Sequence, residues 1–112
     1  PMLSVGACGV VSVVANALPG LVAEMVASYP GAVERAKSLH HALRPISRAL
    51  FLETSPGPVK HLLWKLGYID SPELRPPLAD VTAGTARELE AVVREVRRLS
   101  DSALDDADCA EH

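Results

Sequence analysis

Aromatic side chains are scarce in this sequence: Trp64, Tyr29, Tyr68 and Phe51 are the only four among 112 residues. A core made from this chain must therefore be aliphatic, and Leu, Val and Ala supply it in a sequence that is 48% hydrophobic. Cysteine is almost as rare. Cys8 lies beside an apolar run and Cys109 in a polar tail, which is no disulfide framework. With no secretory leader to be read, the cytoplasm is the expected compartment. No apolar run approaches the roughly 20 residues that span a bilayer. The stretch from Val5 to Leu18 is too short and is interrupted by Ser12 and Asn16. No basic stripe marks a nucleic-acid surface. The densest positive group, Arg94, Arg97 and Arg98, interleaves with Glu90 and Glu95, and Glu90–Arg94 has the favourable four-residue helical spacing. Neither membrane nor nucleic acid is an expected partner.

Lysine is also sparse, with only Lys37, Lys60 and Lys65. An amine that forms a Schiff base needs a buried site that lowers its pKa. Lys37 falls on the polar side of its helical pattern, and Lys60 and Lys65 fall in the first and last turns of a short helix. Structural or solvated roles are expected for all three.

What the chain does have is one β-branched run and four helical patterns. Gly9 to Ala15 is nearly continuous in valine, without apolar–polar alternation, as in strands buried on both faces. From Leu18 to Tyr29, Leu18, Leu21, Val22, Met25 and Val26 repeat at helical spacing, with Pro19 in the first turn and Pro30-Gly31 as the stop. A longer helix is expected from Ala32 to Glu53 on Ala36, Leu39, Leu43, Ile46 and Leu50, bent at Pro45. Ser55 to Pro58 reads as a turn. Val59 to Leu66 reads as a short helix closed by Gly67. Asp70 to Asp80, with Pro72, Pro76 and Pro77, reads as a loop. Thr82 caps a last helix to about Leu99, with Leu89, Val92, Val93, Val96 and Leu99 on its apolar face. The acidic tail 101–112 is expected to be mobile.

The expected class is thus mainly α, with one strand. A strand buried on both faces needs neighbours on both edges, and no second convincing strand is present. Its partners are expected to be missing or to come from another chain. The chain opens on Pro1 rather than methionine, which a processed terminus or a fragment boundary would equally give.

Four motifs in order carry a resemblance. Gly9-Val-Val-Ser-Val-Val-Ala-Asn16 is followed by Pro19; Phe51-Leu-Glu-Thr-Ser-Pro-Gly-Pro-Val-Lys60 follows; then come Leu66-Gly67 and Leu74-Arg-Pro-Pro-Leu78. Together they resemble the C-terminal part of the dihydrodipicolinate synthase family. That resemblance implies a (β/α)8 TIM barrel followed by a helical appendage. Residues 1–30 would be the last barrel strand and helix, and 31–100 a three-helix appendage. It also implies a Schiff-base lyase that condenses pyruvate with aspartate semialdehyde, toward lysine and diaminopimelate. No metal or cofactor belongs to that chemistry, because the iminium is itself the electron sink. The family's lysine, tyrosine relay, threonine pair and Gly-rich loop have no matching positions here, so no residue of this chain is assigned a catalytic role.

By the same resemblance Val11 matches the position whose backbone lines the pyruvate pocket, and Val5 one near a subunit contact in tetrameric members. Ser55 stands where Asn is usual and Gly57 where Ile is common. Two other readings remain: a related pyruvate-dependent sugar-acid aldolase, and a non-catalytic piece that completes a barrel with a partner chain or forms a homo-oligomer. Among the remaining polar residues, His40 and His41 are adjacent and point to different helix faces, so a metal site with His61 is disfavoured. Cys8 is expected to be a small buried hydrophobe. Glu53 is expected to contact the backbone of the Pro56 turn rather than to do catalysis.

Overall fold

The computed structural model describes residues 1–109, with side chains described through Asp101. A 3-10 turn at Met2–Val5 and another at Val14–Asn16 precede four helices: α1 (Pro19–Ser28), α2 (Val33–Ala49), α3 (Gly57–Leu66) and α4 (Ala83–Cys109). Pro19 opens α1 in the first turn, where its missing N–H costs no hydrogen bond. In α2, Ala36, Leu39, Leu43, Ile46 and Ala49 are buried at steps of three and four. Pro45 lies inside this helix and leaves the His41 carbonyl without its usual donor.

Helix α2 stops at Ala49, short of the Glu53 expected from the apolar spacing. The Leu50 N–H still reaches Ile46, but the Phe51 and Leu52 N–H groups bond to Arg48 and Ala49, three residues back. The chain then leaves the helix, and the Glu53 carboxylate meets Thr82. Helix α3 starts at Gly57, earlier than expected, because Pro58 fits the first turn as readily as it fits a loop. It closes as anticipated on Gly67, which has φ +82°. The Gly67 N–H bonds to Trp64 and the Tyr68 N–H to Leu63, the paired bonds of a Schellman motif. Residues 71–82 are irregular, as the three prolines implied.

Helix α4 runs well past Leu99, to Cys109. No glycine or proline occurs after Gly84 to stop it. Of the tail expected to be mobile, residues 110–112 lie outside the described residues. On α4 the pair that forms is Glu95–Arg98, bidentate at 2.7 and 3.0 Å, rather than Glu90–Arg94.

The helices pack as two pairs, α1 on α2 and α3 on α4, joined where α2 meets α4. Ile46, Leu50, Leu62 and Leu89 are completely buried at the centre, with Val14, Leu18, Leu21, Leu39, Leu43, Val59 and Val96 around them. No aromatic ring belongs to this buried set, in keeping with their scarcity.

The expected strand is the main departure. No strand forms among the described residues; Ala7 to Ser12 has no regular structure and Val14 starts a turn. A strand exists by virtue of its ladder partners, and the chain supplies none. Cys8, expected to be buried, is exposed on this same segment.

Candidate functional site

Two regions hold the residues singled out above. The first is the valine segment and the cleft beside it. Val10, Ser12 and Val14 face a cleft of about 350 Å3, whose opposite wall is the Arg44–Ser47–Arg48 face of α2. Val22 and Leu43 contribute its apolar floor. Val14 is buried there, whereas Val10 at the rim is 54% exposed. Val11 takes no part in the cleft and is fully exposed, at 105%. Val10, Ser12 and Val14 thus line the cleft, Val13 and Ala15 are half-buried against the core, and Val11 stands exposed.

The second region is the turn after α2. The Glu53 carboxylate accepts hydrogen bonds from the Thr82 N–H at 3.0 Å and the Thr82 hydroxyl at 2.7 Å. The Thr82 oxygen in turn accepts from the Thr85 N–H at 3.4 Å. Thr82 is therefore the N-cap of α4, as its residue type suggested. Glu53 acts as the acidic half of a capping box, but from 29 residues away rather than from the third position of the helix. It does not bind the Pro56 turn as expected. The Thr82 hydroxyl, then Thr85 and the Thr82 backbone, hold the Glu53 carboxyl below its ordinary value. Gly57 is buried in the same turn, and a side chain there would meet Val81 and Leu74 at 3.5 and 3.6 Å.

None of the three lysines is buried. Lys37 is exposed and bonds to Glu34 at 2.8 Å, and that hydrogen bond, with the nearby charge, raises its pKa. The Lys60 ammonium donates to the Glu73 carbonyl, tying α3 to the proline loop. Lys65 lies 4.6 Å above the Trp64 ring. His40 and His41 meet each other edge to face at 5.5 Å, while His61 packs on Trp64. Among the described residues no three metal-ligating side chains cluster. No described helix is long and apolar enough to cross a membrane. The Arg44–Arg48 pair was not singled out in the sequence, although its spacing of four was the signal available.

Residues 1–96 match the dihydrodipicolinate synthetase family. The chain belongs to that family. It is 44% identical over 94 residues to a 4-hydroxy-tetrahydrodipicolinate synthase of Oleidesulfovibrio alaskensis, covering 83% of this chain and 32% of that relative. It is 48% identical over 103 residues to the protein of that name from Methanothrix thermoacetophila, covering 90% and 33%. The crystal structure of dihydrodipicolinate synthase from Thermotoga maritima superposes with a TM-score of 0.81 at 41% identity, over 85% of this chain and 32% of that one. The 4-hydroxy-tetrahydrodipicolinate synthase of Methylacidiphilum fumariolicum gives 0.82 at 40% identity, over 88% and 33%. The chain thus spans about a third of the length of these relatives.

Proposed function

We propose that this chain is the C-terminal third of a pyruvate-dependent Schiff-base synthase that condenses pyruvate with aspartate semialdehyde in lysine and diaminopimelate formation. In this reading residues 9–16 form the last barrel strand, α1 is the helix that follows it, and α2, α3 and α4 are the appendage. The observation that carries the reading is the superposition on whole synthase structures at about a third of their length. The named relatives and structures above all bear the synthase name, which favours it over the sugar-acid aldolase.

The full exposure of Val11 supports its assignment to the substrate side. In a barrel strand, one set of residues points to the helix ring and the other to the interior. Val10, Ser12 and Val14 line the cleft against α1 and α2, so the exposed Val11 is left for the barrel interior. The surroundings of Lys37, Lys60 and Lys65 support the companion view that the iminium forms on a lysine outside this chain. Soluble cytoplasmic action follows from that assignment.

The test uses pyruvate and borohydride, which fix an iminium as a stable adduct. The chain alone is expected to gain no pyruvyl mass. Mixed with the separately produced first two-thirds of the Thermotoga maritima synthase, it is expected to restore condensation activity that neither part has. Val11→Asp should abolish that restoration. A pyruvyl adduct on one of this chain's own lysines, or a mixture as inactive as its parts, would overturn the proposal.

A further inference from the structure

The cleft beside the valine segment has an uneven lining. Its floor is apolar, at Val14, Val22 and Leu43, and one lip is cationic, at Arg44 and Arg48. These two residues are one helical turn apart on α2, and both are exposed. No carboxylate lines the cleft. The only acids among residues 1–52 are Glu24 and Glu34, and both are engaged elsewhere. Glu24 binds Arg35 at 2.6 Å and Glu34 binds Lys37 at 2.8 Å. Two guanidinium groups are therefore set over an apolar trough, and among the described residues neither has an acidic partner.

The trough is covered at one end and open at the other. Helices α1 and α2 bury Val14, but leave Val10 more than half exposed on the same side of the segment. A β/α barrel covers the outer side of every strand with its ring of helices, including the helix that leads into the strand. Resting on the barrel reading of residues 9–16, we infer that the cleft seats the helix that precedes this strand, and that this helix brings carboxylates to Arg44 and Arg48. Its apolar ridge lies on Val10, Val14 and Leu43, and its acidic flank meets the α2 lip. The arginines then select among helices of similar hydrophobicity, because a like charge held against them is repelled as strongly as an acid is attracted.

The probe is the first two-thirds of the Thermotoga maritima synthase in two versions. They carry glutamates or lysines at the cleft-facing positions of the helix before the strand that matches residues 9–16. Association with the unmodified chain is read by sedimentation velocity. The glutamate version is expected to bind about tenfold more tightly than the lysine version, with the difference shrinking at high salt. The difference should vanish in the Arg44→Ser/Arg48→Ser variant, whose helicity is checked by circular dichroism. The comparison on the unmodified chain stands even if that variant misfolds. Equal affinity for the two versions overturns the arginine seat and leaves the barrel assignment intact. No association of either version overturns both.

Discussion

Removing the Thr82 hydroxyl should show how strongly the signature turn holds the last helix. Thr82→Ala deletes the 2.7 Å bond to Glu53 and the 3.4 Å bond from the Thr85 N–H, and leaves the Thr82 N–H on Glu53. Loss of an N-cap hydroxyl costs about 1 kcal/mol, within a range of about 0.5–2. The low end applies to the Thr85 bond, which is long, but the Glu53 bond is charge-assisted and short. For a chain of this size about 1 kcal/mol lowers the melting temperature by roughly 4–8 °C. The pH dependence separates this account from a generic loss of packing. The Glu53 carboxyl is held below its ordinary value of 4.5 in the fold. Its contribution is therefore full above that value and is lost as pH falls through the lower, folded one. Urea unfolding of the wild type, Thr82→Ala and Glu53→Gln at about pH 7 and about pH 3 is the assay. Both variants should be destabilised at neutral pH, and Glu53→Gln should converge on the wild type in acid. A Thr82→Ala penalty restored by Thr82→Ser would confirm the hydroxyl as the agent. If Glu53→Gln matches the wild type at neutral pH, the capping account is wrong.

Leu62→Ala should be far more damaging, at about 2–5 kcal/mol, because Leu62 is completely buried on a helix of only ten residues. Chemical denaturation measures it, and a loss below about 1 kcal/mol would mean that α3 is not anchored there. Gly67→Ala should cost about 1 kcal/mol through the left-handed backbone alone, since nothing lies within 4 Å of a Cβ placed there; an unchanged melting temperature would contradict this. The His61 Nε2 is buried without a hydrogen-bond partner, and burial, then the Lys65 charge, lowers its pKa despite Glu90 and Asp80. Stability from its neutral form is thus full above the ordinary value of 6.5 and falls as pH drops through the folded value. An NMR titration midpoint above 6.5 would refute the sign.

Most of the helical frame was legible from local signals. Pro19 and Pro30-Gly31 bound α1, the Leu39–Leu43–Ile46 spacing marks the buried side of α2, and Gly67 closes α3. Each of these depends on neighbours within a turn or two, where backbone sterics and helical period decide. The far end of α4 was set too early, at about Leu99, although no glycine or proline follows Gly84. Acidic composition argued for mobility instead, and composition says nothing about whether a helix already under way is interrupted. The Glu53–Thr82 contact was not legible, because it joins residues 29 apart in the chain.

The sequence by itself carried the family resemblance, the existence of four helices and the expectation that the valine run needs strand partners. Those follow from residue order and from the rule that backbone groups must pair. Only the tertiary structure decided the rest. A strand cannot form without a ladder, so Ala7 to Ser12 is irregular here. Its two sides nonetheless differ, because α1 and α2 cover Val14 and leave Val11 bare. The cationic lip at Arg44 and Arg48 gains its meaning only from being set against Val10 and Val14, 30 or more residues away in the chain. Such a juxtaposition arises from how helices pack, and no local pattern of residues encodes it.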